Sequence, residues 1–183
     1  MEIETYKVNG CTVSIRYDQD SESPADWGNF KIVTFNRSGY AMDSLSTDED
    51  SDKYYTEDWK PRPWLAAKLR AGKAWPISYS SHGPMCNFAL GAHLERPDGL
   101  LMFEDDYVEG VSKNERETYA TGDLETYTEW ANGAVYGYIV TDPDGNELDS
   151  LWGIYGFDYA KEEAKAVANR YVNRGRKAGA YHG

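Results

Sequence analysis

Hydrophobic and polar positions follow two periods along this chain, and each period predicts its own kind of element. In Glu2–Val8, Ile3, Thr5 and Lys7 alternate with Glu4, Tyr6 and Val8, the two-residue repeat of a strand. Asn9-Gly10 joins this run to Thr12–Asp18, and that dipeptide most readily supplies the two positive φ angles of a tight hairpin. FKIVTFN, Phe30–Asn36, has the aromatic and β-branched content of a buried strand. Asp123–Ala160 reads as three extended runs separated by two turns. In its first run Leu124, Thr126, Thr128 and Trp130 fall on a dry side, with Glu125, Tyr127 and Glu129 on a wet, acidic one. Asn132-Gly133 then predicts a hairpin into VYGYIV, and Asp142-Pro143-Asp144-Gly145 a second into ELDSLWGIYG. The period changes to 3.6 over 158–174, where Tyr159, Ala160, Ala164, Val167, Ala168 and Tyr171 line one face of a helix expected to cover the sheet.

The remaining signals are local. Ser23-Pro24 with Asp26 predicts a helix start or tight turn, with Trp27 pinning the loop. Pro63 and Gly72 bracket a helix over Trp64–Lys73 that carries the basic patch Lys68, Arg70 and Lys73. Trp75–Ser81, with Pro76 near its start, reads as an edge strand, and Asn87–Glu95 as an extended run broken at Gly91. Arg96-Pro97-Asp98-Gly99 is a turn before the apolar run Leu100–Phe103, and Ser112 with Glu115 makes the capping box of a short helix near 112–119. Residues 37–60 form an acidic insert, a solvated loop or short irregular helix, and 175–183 a flexible tail. The expected fold is α+β: one twisted, mainly antiparallel sheet of five to eight strands with the C-terminal amphipathic helix packed on it, a single domain over 1–183 with one core.

Charge changes this picture most. The chain of 183 residues carries 31 acids against 19 bases, net −12, and the imbalance is segregated. Residues 101–160 hold 14 acids and two bases, whereas 61–100 hold two acids and five bases. Such a surface repels a phosphate backbone, so direct DNA binding is not expected. The acidic, alternating N-terminus is unlike a signal peptide and no apolar run approaches a membrane span, so a cytoplasmic protein is expected. Cys11 and Cys86 fit neither a disulfide framework nor a metal cluster and are expected to be small buried hydrophobes. His82, Cys86 and His93 have nitrogen and sulfur ligands at a spacing that matches no compact zinc site, and a Cys86–His93 nucleophilic pair lacks a motif to position it. Asp48–Asp52 lacks the glycine and terminal glutamate of a calcium loop. Gly137, Gly153 and Gly156 match no phosphate-binding fingerprint and are read as close packing or bulges. Neither a cofactor, a metal nor a catalytic residue is expected.

Acids interleaved with aromatics remain: Tyr54-Tyr55-Thr56-Glu57-Asp58-Trp59, Glu104-Asp105-Asp106-Tyr107 and Glu125-Thr126-Tyr127-Thr128-Glu129-Trp130. The plain reading is a solubility coat over an aromatic core. The sharper reading is a row of carboxylates that copies a phosphate track, with Asp48, Glu49, Asp50, Asp52, Glu57, Asp58, Glu104, Asp105, Asp106, Glu109, Glu125, Tyr127 and Glu129 as partner contacts.

Three segments carry a resemblance: DSESPADWGNF (Asp20–Phe30), NGAVYGYIVTDPDGNELDSLWGIYG (Asn132–Gly156) and the helix start Tyr159–Ala168. They resemble a group of small acidic proteins encoded by bacterial and archaeal phages and prophages, over about a third of the chain. Residues 41–58 and 82–93 depart from the group. That group has no settled biochemical role, so the resemblance implies phage context and no catalytic residues. By analogy with other small acidic phage proteins, the expected function is non-enzymatic: an anti-defence or anti-CRISPR inhibitor acting by DNA mimicry. It would bind a host defence protein or ribonucleoprotein through that partner's basic nucleic-acid groove, in the cytoplasm of the infected cell. Two alternatives stand beside it: a small-ligand-binding protein or enzyme with an aromatic-lined pocket, and a structural or accessory phage protein.

Overall fold

The computed structural model describes residues 1–35, 47–80, 87–91 and 94–180, with the side chains of 47, 48 and 172–180 outside that description. It is an α+β protein, with nine strands and three α-helices among the described residues, and eight of those nine strands pair only antiparallel or have one parallel neighbour beside an antiparallel one. In place of one sheet and one core, the chain divides into two compact units, 1–21 with 133–183 and 22–132, each with a sheet of its own. The chain leaves the first sheet after its second strand, builds the whole of the second, and returns to pair its eighth strand with that one.

In the first unit β1 (Glu2–Val8) and β2 (Cys11–Tyr17) form the expected hairpin, with Asn9 and Gly10 at φ 52 and 85°. β8 (Val135–Thr141) and β9 (Glu147–Tyr155) form the second. At its turn Asp142 accepts from the backbone N–H groups of Asp144 and Asn146, at 2.9 Å each. β2 pairs β8, so the order is β1-β2-β8-β9. Cys11, Val13 and Ile15 face one side with Tyr138, Val140 and Ile154, and Ala160, Ala164, Val167 and Ala168 of the C-terminal helix α3 seal them. That helix runs Phe157–Ala180, past the expected stop at 174. Ala178 and Ala180 favour helix, and Gly175 and Gly179 cost only about 1 kcal/mol each inside one.

The second unit has a five-stranded sheet ordered β4-β3-β7-β5-β6: β3 Phe30–Phe35, β4 Thr47–Glu49, β5 Ala74–Ser80, β6 Asn87–Leu90 and β7 Gly99–Phe103. β5 is an inner strand, contrary to the edge position its proline implies. Pro76 is tolerated because pairing with β6 begins only at Ile77, so no ladder bond is lost there. Both faces of this sheet are covered. Phe30, Ile32, Leu101, Phe103, Trp75 and Ile77 pack against Ala120, Leu124 and Tyr127 of a long helix α2, Lys113–Ala131. Val33, Phe35, Leu100, Met102 and Ala74 pack on the other side against Tyr54, Tyr55 and Leu65, the last from helix α1, Pro63–Arg70. Tyr54 and Tyr55 therefore make core of part of the segment read as a solvated insert; its residues 37–46 lie outside the described residues, as do His82, Cys86 and His93.

The largest departure is α2. The run ETYTEW was expected as a strand and is the last turn and a half of a 19-residue helix. Its period-two reading fails against Ala120, Leu124 and Tyr127, which recur at i, i+4 and i+7 and are the side chains buried. Thr126 and Thr128, whose β-branching argued for a strand, return their hydroxyls to the carbonyls of Gly122 and Leu124. Asn132-Gly133 then ends a helix rather than turning a hairpin: Asn132 caps it and Gly133 takes φ +71°. The capping box is present, with Ser112 Oγ accepting from Glu115 N–H at 3.3 Å, but it opens a helix more than twice the length expected.

Candidate partner-binding surface

Every residue proposed as a partner contact lies in the second unit, which holds 20 of the acids and 11 of the bases and so carries −9 of the net −12. The sheet separates those residues into two groups. Asp48 and Glu49 lie on edge strand β4, and Asp50, Asp52, Glu57 and Asp58 follow beside Tyr54 and Tyr55 on the α1 face. Glu104, Asp105, Asp106 and Glu109 surround a single 3-10 turn, Asp105–Val108, whose Val108 packs with α2, the helix that carries Glu125 and Glu129. The row of carboxylates expected as one track is thus two groups on opposite faces of one sheet.

The first group is interleaved with cations and tied into local structure. The Tyr54 hydroxyl donates to Glu49, and burial with this acceptor raises the phenol well above its usual value. Asp50 caps the 3-10 turn Ser51–Lys53 by accepting from Asp52 N–H, and Arg62 donates to the Asp52 carbonyl. Lys53, Lys60 and Arg62 sit among these acids in the sequence. Asp105 in the second group is also neutralised: Lys73 donates to it at 3.0 Å, which holds its carboxyl below the usual range, with Lys68 and Arg116 adding smaller attractions.

Helix α2 differs. Its cations, Lys113 and Arg116, stand in the first turn, and Arg116 is turned inward to donate to the carbonyls of Ala71 and Val108. Beyond it come Glu117, Asp123, Glu125 and Glu129 with no Lys or Arg through Ala160. Glu117, Glu125 and Glu129 are exposed. Glu125 and Glu129 are one turn apart on the side away from Leu124, with centres ~6 Å apart along the axis. Asp123 is the exception, half-buried under the 104–109 loop, where Tyr107 donates to it at 3.1 Å. Burial raises its carboxyl above the usual range in spite of that hydrogen bond, and the Tyr107 hydroxyl is pushed up to about 12, first by burial and then by Asp123.

Tyr127 must be removed from the candidate contacts. It is fully buried, edge-on to Phe88 and against Trp130, because a helical backbone turns it to the side opposite Glu125 and Glu129. Glu117 is a further exposed acid of α2, seven residues before Leu124 and so on a different side of the helix from Glu125 and Glu129. The capping box at Ser112 followed by the Ala120, Leu124, Tyr127 spacing is the signal that locates it.

Among the described residues no three histidine, cysteine or acidic side chains converge as a metal site would require. Cys11 is buried within the first unit's core, and burial raises its thiol. No described helix is long and apolar enough to cross a membrane. Compared with known proteins, the chain matches no family model, no curated protein and no solved structure.

Proposed function

We propose that this chain is a phage-encoded anti-defence protein, a binder rather than a catalyst, that occludes the basic nucleic-acid groove of a host defence complex such as a CRISPR effector. One observation supports this reading above the others: the outer side of α2 presents Glu125 and Glu129 one turn apart on a rigid helix with no cation after Arg116. Asp106 and Glu109, exposed on the adjoining loop, extend that surface. A helix fixes carboxylates at set intervals without the entropy that loop residues lose on binding, so lysines and arginines evolved to hold phosphates meet charges already in place. The Asp48–Asp58 group has no part in this contact, since the sheet stands between it and α2 and cations offset its charge.

The contact would form in the cytoplasm of the infected cell and be strongly salt-dependent, because both surfaces release counterions when they meet. The test is affinity for purified defence effectors, and protection of their target DNA, at low and high salt, for the wild-type chain and the double variant Glu125→Lys/Glu129→Lys. Loss of inhibition in the variant with retained folding supports the α2 surface. Unchanged affinity in the variant, or affinity indifferent to salt, sinks the mimicry mechanism. A parallel variant, Glu57→Lys/Asp58→Lys, should inhibit as wild type does.

A further inference from the structure

The first unit carries a feature that the acidic surface does not use. α3 covers one face of its sheet; on the other face cross-strand pairing aligns Glu2, Arg16 and Gly137 in one row and Thr5, Ser14, Ile139 and Ser150 in the next. Trp152 of β9 lies over Gly137. A Cβ built on that glycine would meet the indole Cε3 at 2.2 Å, so the six-membered ring occupies the space a side chain would need. The ladder between β8 and β9 shifts register between Tyr136 and Tyr138, and Gly153 beside the tryptophan takes φ +74°, the kind of bulge that re-aims a side chain. Gly137 and Gly153 together lay one indole face on the sheet, and the residue remains 44% exposed.

Polar groups flank the ring. Arg16, opposite Gly137, donates from Nε to Ser14 Oγ at 3.2 Å, Ser14 donates to Glu2 Oε2 at 3.0 Å, and an Arg16 Nη lies 3.8 Å from the same carboxylate oxygen. The serine hydroxyl and the ion pair hold each other in position, and the Glu2 carboxyl is lowered first by a hydrogen bond from Thr5, then by that from Ser14, with Arg16 adding a smaller attraction. A guanidinium with donors to spare, a carboxylate with open lone pairs and a flat aromatic ring therefore stand side by side, with their formal charges cancelled.

We propose that Trp152, Arg16 and Glu2 form a platform for one ring of a neutral saccharide. A pyranose has a flat face of C–H bonds, which the electron-rich indole face attracts, and a rim of hydroxyls that both donate and accept. Adjacent hydroxyls would donate to Glu2 and accept from Arg16. A nucleobase would also stack on the ring, but its phosphates would meet a guanidinium already paired with Glu2, in a unit whose 11 acids outnumber its eight bases. The platform is flat, so each ring is held weakly and oligosaccharides are the suitable probes.

The full-length chain, labelled with nitrogen-15, is titrated with cellohexaose, maltohexaose, chitohexaose and mannohexaose to about 10 mM, with a deoxythymidine hexamer in parallel. The indole N–H signal is assigned by its loss in Trp152→Phe. Saturable movement of that signal with at least one hexasaccharide is expected, stronger than with the hexanucleotide. Trp152→Ala, followed through the backbone amide signals of β8 and β9, should abolish binding, and Glu2→Gln/Arg16→Gln, which leaves the ring in place, should weaken it about tenfold. Movement by the nucleotide alone, binding retained by Trp152→Ala, or silence with all four sugars would overturn the proposal. None of these results depends on the α2 surface.

Discussion

The two units solve the same problem, a sheet that must be kept dry, with different amounts of cover. In the first, two hairpins turned at Asn9-Gly10 and Asp142–Gly145 meet through the ladder Thr12↔Thr141 to Tyr17↔Tyr136, and a single amphipathic helix seals one face. In the second, β7 lies between β3 and β5, so the middle of the sheet joins strands about 70 residues apart, and both faces are sealed. The difference teaches why charge is used differently. A sheet covered on both sides hides its own residues, so the second unit meets solvent mainly through its helices and loops, and its acids concentrate there. The first unit leaves a sheet face carrying Arg16, Ser14 and Trp152, where flat chemistry is available.

If a core on each face carries the second unit, the centre of its sheet should be the most sensitive place in the molecule. Leu101→Ala, at a fully buried position on β7, is expected to cost about 2–5 kcal/mol in urea denaturation. Hydrogen exchange should show the loss first in β3, β5 and β7. Equal loss of protection in β1 and β2 would erase the contrast between the units. Next in size is Gly99→Ala, whose Cβ would stand 2.1 Å from the Val33 carbonyl oxygen; backbone against backbone cannot yield, and about 1–3 kcal/mol should be lost. Gly133→Ala tests whether Asn132-Gly133 ends α2. A left-handed φ of +71° penalises alanine by roughly 1–2 kcal/mol, and the loss should appear as fraying of 128–132 in helical chemical shifts, with the hairpin β8–β9 intact.

A smaller effect concerns pH. Burial raises Asp123 above its usual value, so the folded chain holds a proton that the unfolded chain releases. Its contribution to stability is therefore complete below the unfolded value and is lost as pH rises through the higher folded one. Asp123→Asn should gain on wild type as pH climbs from about 4 to 7, read from urea midpoints; parallel curves for the two proteins would contradict the burial argument. Smallest of all, Glu125→Lys/Glu129→Lys should change stability by no more than about 0.5 kcal/mol, since both side chains are exposed. That insensitivity is what allows the same variant to report on binding alone.

Legibility followed distance. Ser23 capping the 3-10 turn Pro24–Trp27, Pro63 opening α1 and the Asp142 turn could all be read because each is settled by groups within a few residues. Residues 123–131 imitate a strand for a related reason: two threonines and alternate acids satisfy the strand period locally, while the helical period needs Ala120 to be included. Of the candidate surface, acid content was visible and placement was not. Nothing in the composition of DLETYTEW says that Tyr127 turns inward, that Lys73 reaches Asp105 from 32 positions away, or that Tyr54 and Tyr55 pack on the face opposite α2. Trp152 escaped notice because its partner, Gly137, is recognised only once β8 and β9 are paired with their bulge.

By itself, then, the order of residues determined the turns, the caps, the amphipathic C-terminal helix, the α+β class and the large negative charge, all of which depend on neighbours in sequence or on composition. Tertiary structure alone decided the division into two sheets, the strand order of the second, the helical state of 123–131 and which carboxylates face outward. Those outcomes rest on burial shared among residues far apart in the chain, and burial is a property of the assembled core rather than of any segment within it.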